Sequence, residues 1–221
     1  MKLAELKENC DPEWQRIASH PFVEGIGRGT LTDAQLQYFI TQDALYLRDF
    51  YRVLAMAGGR LDGSQAARTM IHHAETVFVV ETSLHETIAE TFGLRREDIV
   101  RTPKGLVTKL YGDHLVRTAY TESVPVLLAA LLPCYWTYQA IGQQWATNPP
   151  QHPLLRQWID TYQGDAYATA VAEVVAIAEN ISEDYPNLDA ITEAFHHSMV
   201  CERLFWEQAW TEGKVLGSGP E

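Results

Sequence analysis

Most of the chain consists of long segments in which apolar residues recur every three to four positions, separated by short glycine and proline clusters. This spacing is typical of amphipathic helices, and the alternating pattern of a strand is absent from the sequence. Because the connections are short, the sequence predicts a single all-α domain over residues 1–221, a multi-helix bundle with a flexible tail from about residue 213. The predicted helices cover 2–19, 32–57, 64–92, 106–119, 124–146, 153–162, 164–180 and 188–212.

Composition and charge narrow the possible partners. Of the 221 residues, 46% are hydrophobic and 21% are charged, which is typical of a globular domain. The formal net charge of −12 disfavours binding to the phosphates of nucleic acid. We find no run of about 18 apolar residues and no apolar core of a signal peptide near Met1. The sequence therefore predicts a cytoplasmic protein with neither a nucleic-acid nor a membrane partner.

Three cysteines, Cys10, Cys134 and Cys201, stand far apart in the sequence. An odd number cannot pair completely, and the absence of a C-x-x-C spacing argues against a zinc site of cysteine type. A lone cysteine is either a small apolar core residue or a working thiol. Both interpretations remain open for each of the three.

The most informative segment surrounds Cys134. Pro133 lies inside an apolar helical run, where it removes a backbone N–H and frees the carbonyl near Ala129, so we expect a kink. Cys134 would then begin the downstream half of the helix, where free amides lower the pKa of a thiol. Tyr138 follows on the same face. A kinked core helix with a buried, inert cysteine fits the same spacing.

Two carboxylic acids stand in aromatic surroundings. Asp43 precedes Tyr46 by three residues within an apolar segment, which favours a buried, functional acid over a solvent-exposed one. Glu202 precedes Phe205 and Trp206 by three and four residues, and desolvation at such a face raises a carboxyl pKa into the range of a general acid. A surface ion pair of Glu202 is the alternative.

Two further tyrosines are candidates for a binding site, Tyr111 and Tyr162. The chain contains ten tyrosines, and any one of them is more often a core or rim residue than a functional one.

The spacing of Glu193-x-x-His196 is found in the metal sites of helical di-iron proteins. The sequence lacks the matched second Glu-x-x-His of such sites, so we predict no metal. Related spacings occur at His72 with Glu75 and at Glu81 with His85.

Taken together, these segments resemble the thiaminase II (TenA-like) family, the aminopyrimidine aminohydrolases. The resemblance is carried most specifically by Leu131-Leu132-Pro133-Cys134 combined with Asp43 and Tyr46. The matching stretches occur in order along most of the chain, at 20–31, 42–47, 128–138, 158–165 and 202–206.

The resemblance implies a haem-oxygenase-like bundle, a homotetramer, and a small aminopyrimidine or thiamin as substrate, with no cofactor. Cys134 looks like the nucleophile of the family's cysteine-containing branch, and Glu202 looks like its catalytic acid. Asp43 looks like the carboxylate that binds the aminopyrimidine. The tyrosines that look like ring-binding residues are Tyr46, Tyr111, Tyr138 and Tyr162; Tyr111 matches least well.

Two other functions stay open at this point. The same fold supports cofactor-free or di-iron oxidases, and a non-catalytic pyrimidine-binding regulator would share the pocket. Neither the choice between thiamin and a degraded aminopyrimidine nor the oligomeric state follows from the residues themselves. The residues whose roles remain open are Cys10, Cys201, His72, His73 and His85.

Overall fold

The computed structural model describes residues 2–63, 65–93 and 95–214, without the side chains of 80–91 and 96. Within these ranges the chain is helical and contains no strand. Most of the predicted flexible tail, 215–221, and Ser64 at the predicted start of a helix lie outside them. The helices are α1 (Leu3–Asn9), α2 (Asp11–Ala18), α3 (Pro21–Arg28), α4 (Asp33–Arg60), α5 (Gln65–Phe92), α6 (Arg96–Arg101), α7 (Leu106–Thr121), α8 (Val124–Trp145), α9 (Pro153–Gln163), α10 (Asp165–Ile181) and α11 (Leu188–Trp210).

The first predicted helix is two helices, so the prediction of a single helix over 2–19 is wrong. α1 ends and α2 begins at Cys10, whose φ of −106° and ψ of 10° are not helical. Pro12 explains the interruption. Within a continuous helix its ring would clash with the carbonyl of Glu8, whereas in the first turn of a new helix it is tolerated.

Helix α3 was not predicted, because His20-Pro21 and the following glycines read as a break. His20 instead begins the helix: its Nδ1 accepts a hydrogen bond from the Phe22 amide at 3.1 Å, and Pro21 follows in the first turn. The helix ends at Gly29, which has a φ of 66°. Gly27 is needed for packing, since a Cβ there would lie 1.9–2.3 Å from the ring of Trp145.

Helix α4 begins where the sequence predicts it. Thr32 and Gln35 form the expected capping box. The backbone N–H of Gln35 donates to the Thr32 hydroxyl at 3.2 Å, and the backbone N–H of Thr32 donates to the Gln35 side-chain oxygen at 3.1 Å. The helix continues past the predicted end to Arg60. Gly58 lets it approach α5, since a Cβ there would lie 2.7 Å from Ile71.

Helix α8 forms the centre of the bundle and packs against α7, α9, α10 and α11. Every residue of 126–138 is buried. By length and composition this helix is apolar enough to cross a membrane, but 78% of its apolar 18-residue window is buried inside the protein. It also continues through Pro133, so Cys134 lies in mid-helix.

A buried amide network joins three helices that carry candidate site residues. The Oε1 of Gln42 on α4 accepts hydrogen bonds from the Gly105 amide and the Thr108 hydroxyl, both at 2.8 Å. Gln208 on α11 donates to the Thr108 hydroxyl at 2.8 Å. The network therefore fixes α4, α7 and α11 relative to one another.

Candidate active site

A cavity of about 470 Å³ lies between α4, α5, α8, α9 and α10. Its size is typical of a small-molecule site. Five of the predicted site residues line it: Asp43, Tyr46, Cys134, Tyr138 and Tyr162. Tyr111 and Glu202 do not line it; both are almost completely buried beside it. The structure therefore brings together predicted residues from three distant parts of the sequence at the cavity wall, with Tyr111 and Glu202 one layer further from the cavity.

Six aromatic side chains form a continuous wall around this cavity. Each ring contacts the next, with centroids 4.9–6.4 Å apart, and they come from α4, α8, α9 and α10. In order of contact they are Tyr46, Phe50, Tyr135, Tyr167, Tyr162 and Tyr138. Such a wall suits a flat, aromatic ligand that is held between ring faces and edges.

The structure does not favour a thiolate at Cys134, contrary to our prediction of a lowered pKa. Burial raises its pKa well above the usual 9.0, and the nearby Glu202 and Asp43 carboxyl groups act in the same direction. A contact from the Tyr46 hydroxyl opposes them. The prediction was wrong because α8 is not interrupted at Pro133. Amides around Cys134 belong to a continuing helix and do not favour an anion.

The Glu202 side chain is buried, which excludes the surface ion pair considered above. It is 1% exposed and accepts a hydrogen bond from the Tyr111 hydroxyl at 2.8 Å. Burial raises the pKa of Glu202 to about 8, the hydrogen bond from Tyr111 and the nearby Thr137 hydroxyl lower it, and the Asp43 carboxylate raises it. At neutral pH Glu202 is therefore mostly a neutral carboxylic acid that can give up a proton.

Asp43 is buried at the cavity wall, as its apolar surroundings predicted. The Tyr138 hydroxyl lies 3.5 Å from its Oδ1, the long limit of a hydrogen bond. The buried Tyr46 hydroxyl lies near Cys134 and Tyr111 without a well-aligned hydrogen bond to any described residue. Asp43 and Tyr46 thus present two buried polar groups to the same cavity.

A second polar group at the cavity was not predicted. His73 on α5 contacts the Tyr135 hydroxyl through Nδ1 and the Glu173 carboxylate through Nε2, each at 3.0 Å. The three residues come from three helices and have no common spacing in the sequence. From the sequence, the role of His73 stayed open, and neither Tyr135 nor Glu173 was a candidate.

The spacings considered for a metal do not form a site in the described part of the chain. Glu193 and His196 are exposed on α11, and no group of three or more described His, Cys, Asp or Glu side chains could hold an ion. The side chains of Glu81 and His85 lie outside the description.

The bundle and its cavity define a class: an all-helical protein that encloses an aromatic cavity with a buried thiol and carboxyl groups in or beside its wall. Comparison with known proteins places the chain more closely. Residues 7–212 match the model of the TENA/THI-4/PQQC family, and the chain belongs to this family. The resemblance found in the sequence is thereby confirmed.

Individual relatives agree with this assignment. The chain is 31% identical over 215 residues to the "Aminopyrimidine aminohydrolase" of Bacillus subtilis, covering 95% of this chain and 90% of the relative. Among solved structures, a TenA homologue from P. horikoshii is 27% identical with a TM-score of 0.88, over 95% of this chain and 98% of that one. A domain with a heme oxygenase-like fold from Shewanella denitrificans is 17% identical with a TM-score of 0.76, over 100% and 97%, which confirms the predicted fold.

Proposed function

We propose that this protein is an aminopyrimidine aminohydrolase that uses Cys134 as a covalent nucleophile in thiamin salvage. Its substrate would be 4-amino-5-aminomethyl-2-methylpyrimidine or thiamin, and its product hydroxymethylpyrimidine. One observation carries the proposal: the Cys134 thiol and the Asp43 carboxylate line the same aromatic cavity, with a neutral carboxylic acid, Glu202, beside it. The name of the Bacillus subtilis relative supports the reaction class.

The cavity suits an amine-bearing pyrimidine. Asp43 would accept a hydrogen bond from the exocyclic amino group, and the aromatic wall would hold the ring with little loss of freedom. The described lining includes two carboxylic acids, Asp43 and Glu173, and neither lysine nor arginine. This charge favours a cationic ligand.

Hydrolysis would proceed in two stages. The sulfur of Cys134 adds to a ring carbon next to the substituted one, while the thiol proton passes to a ring nitrogen. The exocyclic C–N bond then breaks, and the nitrogen leaves with the bonding electrons and a proton from Glu202. Water adds to the exocyclic carbon and returns a proton to Glu202. The sulfur then departs and takes back the proton from the ring nitrogen, which restores the thiol and the aromatic ring. The sum is an amine and water converted to ammonia and an alcohol.

Glu202 would act through its neighbours, because it does not line the cavity. Its partner Tyr111 packs against Tyr46 at a centroid distance of 4.8 Å, and Tyr46 faces the cavity. We propose that these two hydroxyls connect the acid to the leaving nitrogen.

An ammonia-release assay on the aminopyrimidine tests the proposal. We expect Cys134→Ser to lose on the order of a thousandfold or more in kcat while retaining substrate binding. Cys10→Ser is the matched control, since Cys10 lies away from the cavity at the N-cap of α2, where serine is favourable. A near-normal rate in Cys134→Ser would remove the nucleophile from the mechanism.

The same assay separates the alternatives. An oxidase would consume oxygen and release no ammonia by hydrolysis, and a regulator would bind the pyrimidine without turnover. The described lining contains two histidines, His72 and His73, but no arginine, which favours the hydrolase over an oxidase, whose sites in this fold would be rich in both residue types.

We further propose that the enzyme is a cytoplasmic homotetramer. Large apolar side chains are exposed on the outer side of α7, with Leu106 65%, Leu110 44% and Tyr120 77% exposed, as expected of a surface that another subunit covers. The three unpaired cysteines suit a reducing compartment. Light scattering should give four times the chain mass, and Leu110→Lys should lower it.

A further inference from the structure

The cavity has one solvent-exposed rim. Among the described lining side chains, the exposed ones are concentrated on α5 and α10: His72 is 73% exposed and Glu173 48%. The residues at the other end, Asp43, Cys134 and Tyr138, are buried. A ligand whose ring lies against Asp43 and Cys134 would therefore point its free end towards α5 and α10.

His73 anchors this rim. It is 5% exposed, and a neutral imidazole with its proton on Nε2 satisfies both contacts, donating to Glu173 and accepting from the Tyr135 hydroxyl. The Glu173 carboxylate is thus held at the cavity edge. Its second oxygen is left for a ligand or for water.

The cavity is larger than the smallest substrate needs. At about 30 Å³ for each water, the 470 Å³ correspond to roughly sixteen waters, whereas 4-amino-5-aminomethyl-2-methylpyrimidine has about ten non-hydrogen atoms. The side towards Glu202 is closed by the buried rings of Tyr46 and Tyr111. Any larger group on the exocyclic carbon must extend towards the rim.

We propose that Glu173, anchored by His73 and flanked by Tyr135, forms a subsite for a cationic, heterocycle-sized leaving group. The rim thereby sets the preference between thiamin, whose thiazolium reaches Glu173, and small aminomethylpyrimidines, which do not fill this space. The inference rests on the proposed function and adds to it a determinant of leaving-group specificity.

The test compares the two substrates in Glu173→Gln and Glu173→Lys. We expect Glu173→Gln to lower kcat/KM for thiamin about threefold to fivefold, mainly through KM, as for a half-exposed charge contact. The aminomethylpyrimidine should lose less, and Glu173→Lys should widen the gap. Added salt should weaken thiamin binding in the wild type more than in Glu173→Gln. Glu193→Gln and Glu193→Lys, which alter an exposed carboxylate on α11, should leave the substrate ratio unchanged.

A binding measurement keeps this inference separate from the proposed function. Thiamin affinity is measured by calorimetry in Cys134→Ser with and without Glu173→Lys. A weaker affinity with Glu173→Lys supports the subsite even if the wild type hydrolyses neither substrate, a result that would overturn the hydrolase alone. An unchanged substrate ratio together with unchanged thiamin affinity in Glu173→Lys would overturn the subsite alone.

Discussion

Replacing Glu202 by glutamine should make the protein more stable and much less active. The carboxyl group is buried, and its pKa is raised from the usual 4.5 to about 8. Glutamine has nearly the same shape, stays neutral at every pH, and keeps an oxygen for the hydrogen bond from Tyr111. Glu202→Gln therefore removes the cost of burying an ionisable group without opening a cavity.

The pH dependence of this stability gain follows from linkage. Below pH 4.5 the carboxyl is protonated in both states and costs nothing. Between pH 4.5 and about 8 the unfolded chain loses the proton while the native state keeps it, so native stability falls as pH rises. At about 1.4 kcal/mol per pH unit the cost reaches roughly 5 kcal/mol, and it stays constant above pH 8. The glutamine variant does not lose stability over this pH range, because glutamine does not ionise.

Thermal unfolding of both proteins from pH 5 to pH 9 measures the effect. At roughly 2–4 °C per kcal/mol for a chain of this size, the variant should melt on the order of 10 °C higher at pH 8 and nearly together with the wild type at pH 5. Its kcat should fall far more than its KM rises. Glu193→Gln on the same helix should stay within about 0.5 kcal/mol of wild type throughout. A stability difference that does not grow with pH would refute a neutral, buried Glu202.

Three further results are expected. Tyr111→Phe removes one of the two hydroxyls proposed to connect Glu202 to the leaving nitrogen, so kcat should fall. It also removes the hydrogen bond that lowers the pKa of Glu202, so the alkaline fall of the remaining kcat, near pH 8 in the wild type, should move to higher pH in a pH–rate profile. Alkylation of Cys134 should accelerate about tenfold per pH unit between pH 7 and 9 and be slowed by substrate, whereas a pH-independent rate would mean that the thiolate is already formed at pH 7. In denaturant titrations, Gly27→Ala should destabilise the protein by about 1–3 kcal/mol, because the added methyl group would overlap the indole ring of Trp145. Gly59→Ala, which has open space around it, should stabilise the protein by about 0.5–1 kcal/mol.

The long helices could be predicted because their apolar spacing persists over many turns, as in α4 and α8. The short helices could not. α3 begins after His20 at Pro21, contains two glycines and ends at a third, Gly29. Each of these signals separately favours a break, but here they begin and end a helix that packs against Trp145. The first predicted helix is divided at Cys10 because of Pro12, and apolar periodicity does not show where a proline falls within a helical turn.

At the site, the dense apolar neighbours of Asp43 favoured its burial, which the structure shows. The aromatic neighbours of Glu202 fitted a surface ion pair equally well, so its burial could not be predicted from spacing alone. The direction of the Cys134 pKa shift could not be predicted, because it depends on whether a proline interrupts a helix that tertiary packing holds together. The contact of His73 with Glu173 joins residues 100 positions apart and is visible only in three dimensions.

The side chain of Gln42 never reaches the cavity, yet a single oxygen on it accepts hydrogen bonds from both the loop before α7 and α7 itself. Sliding of α7 or α11 along α4 by even a fraction of a helical turn would break this junction. Natural variation at this position would therefore alter how well the proton donor and the bound ring are aligned, and the enzyme would turn over more slowly while binding its substrate as before.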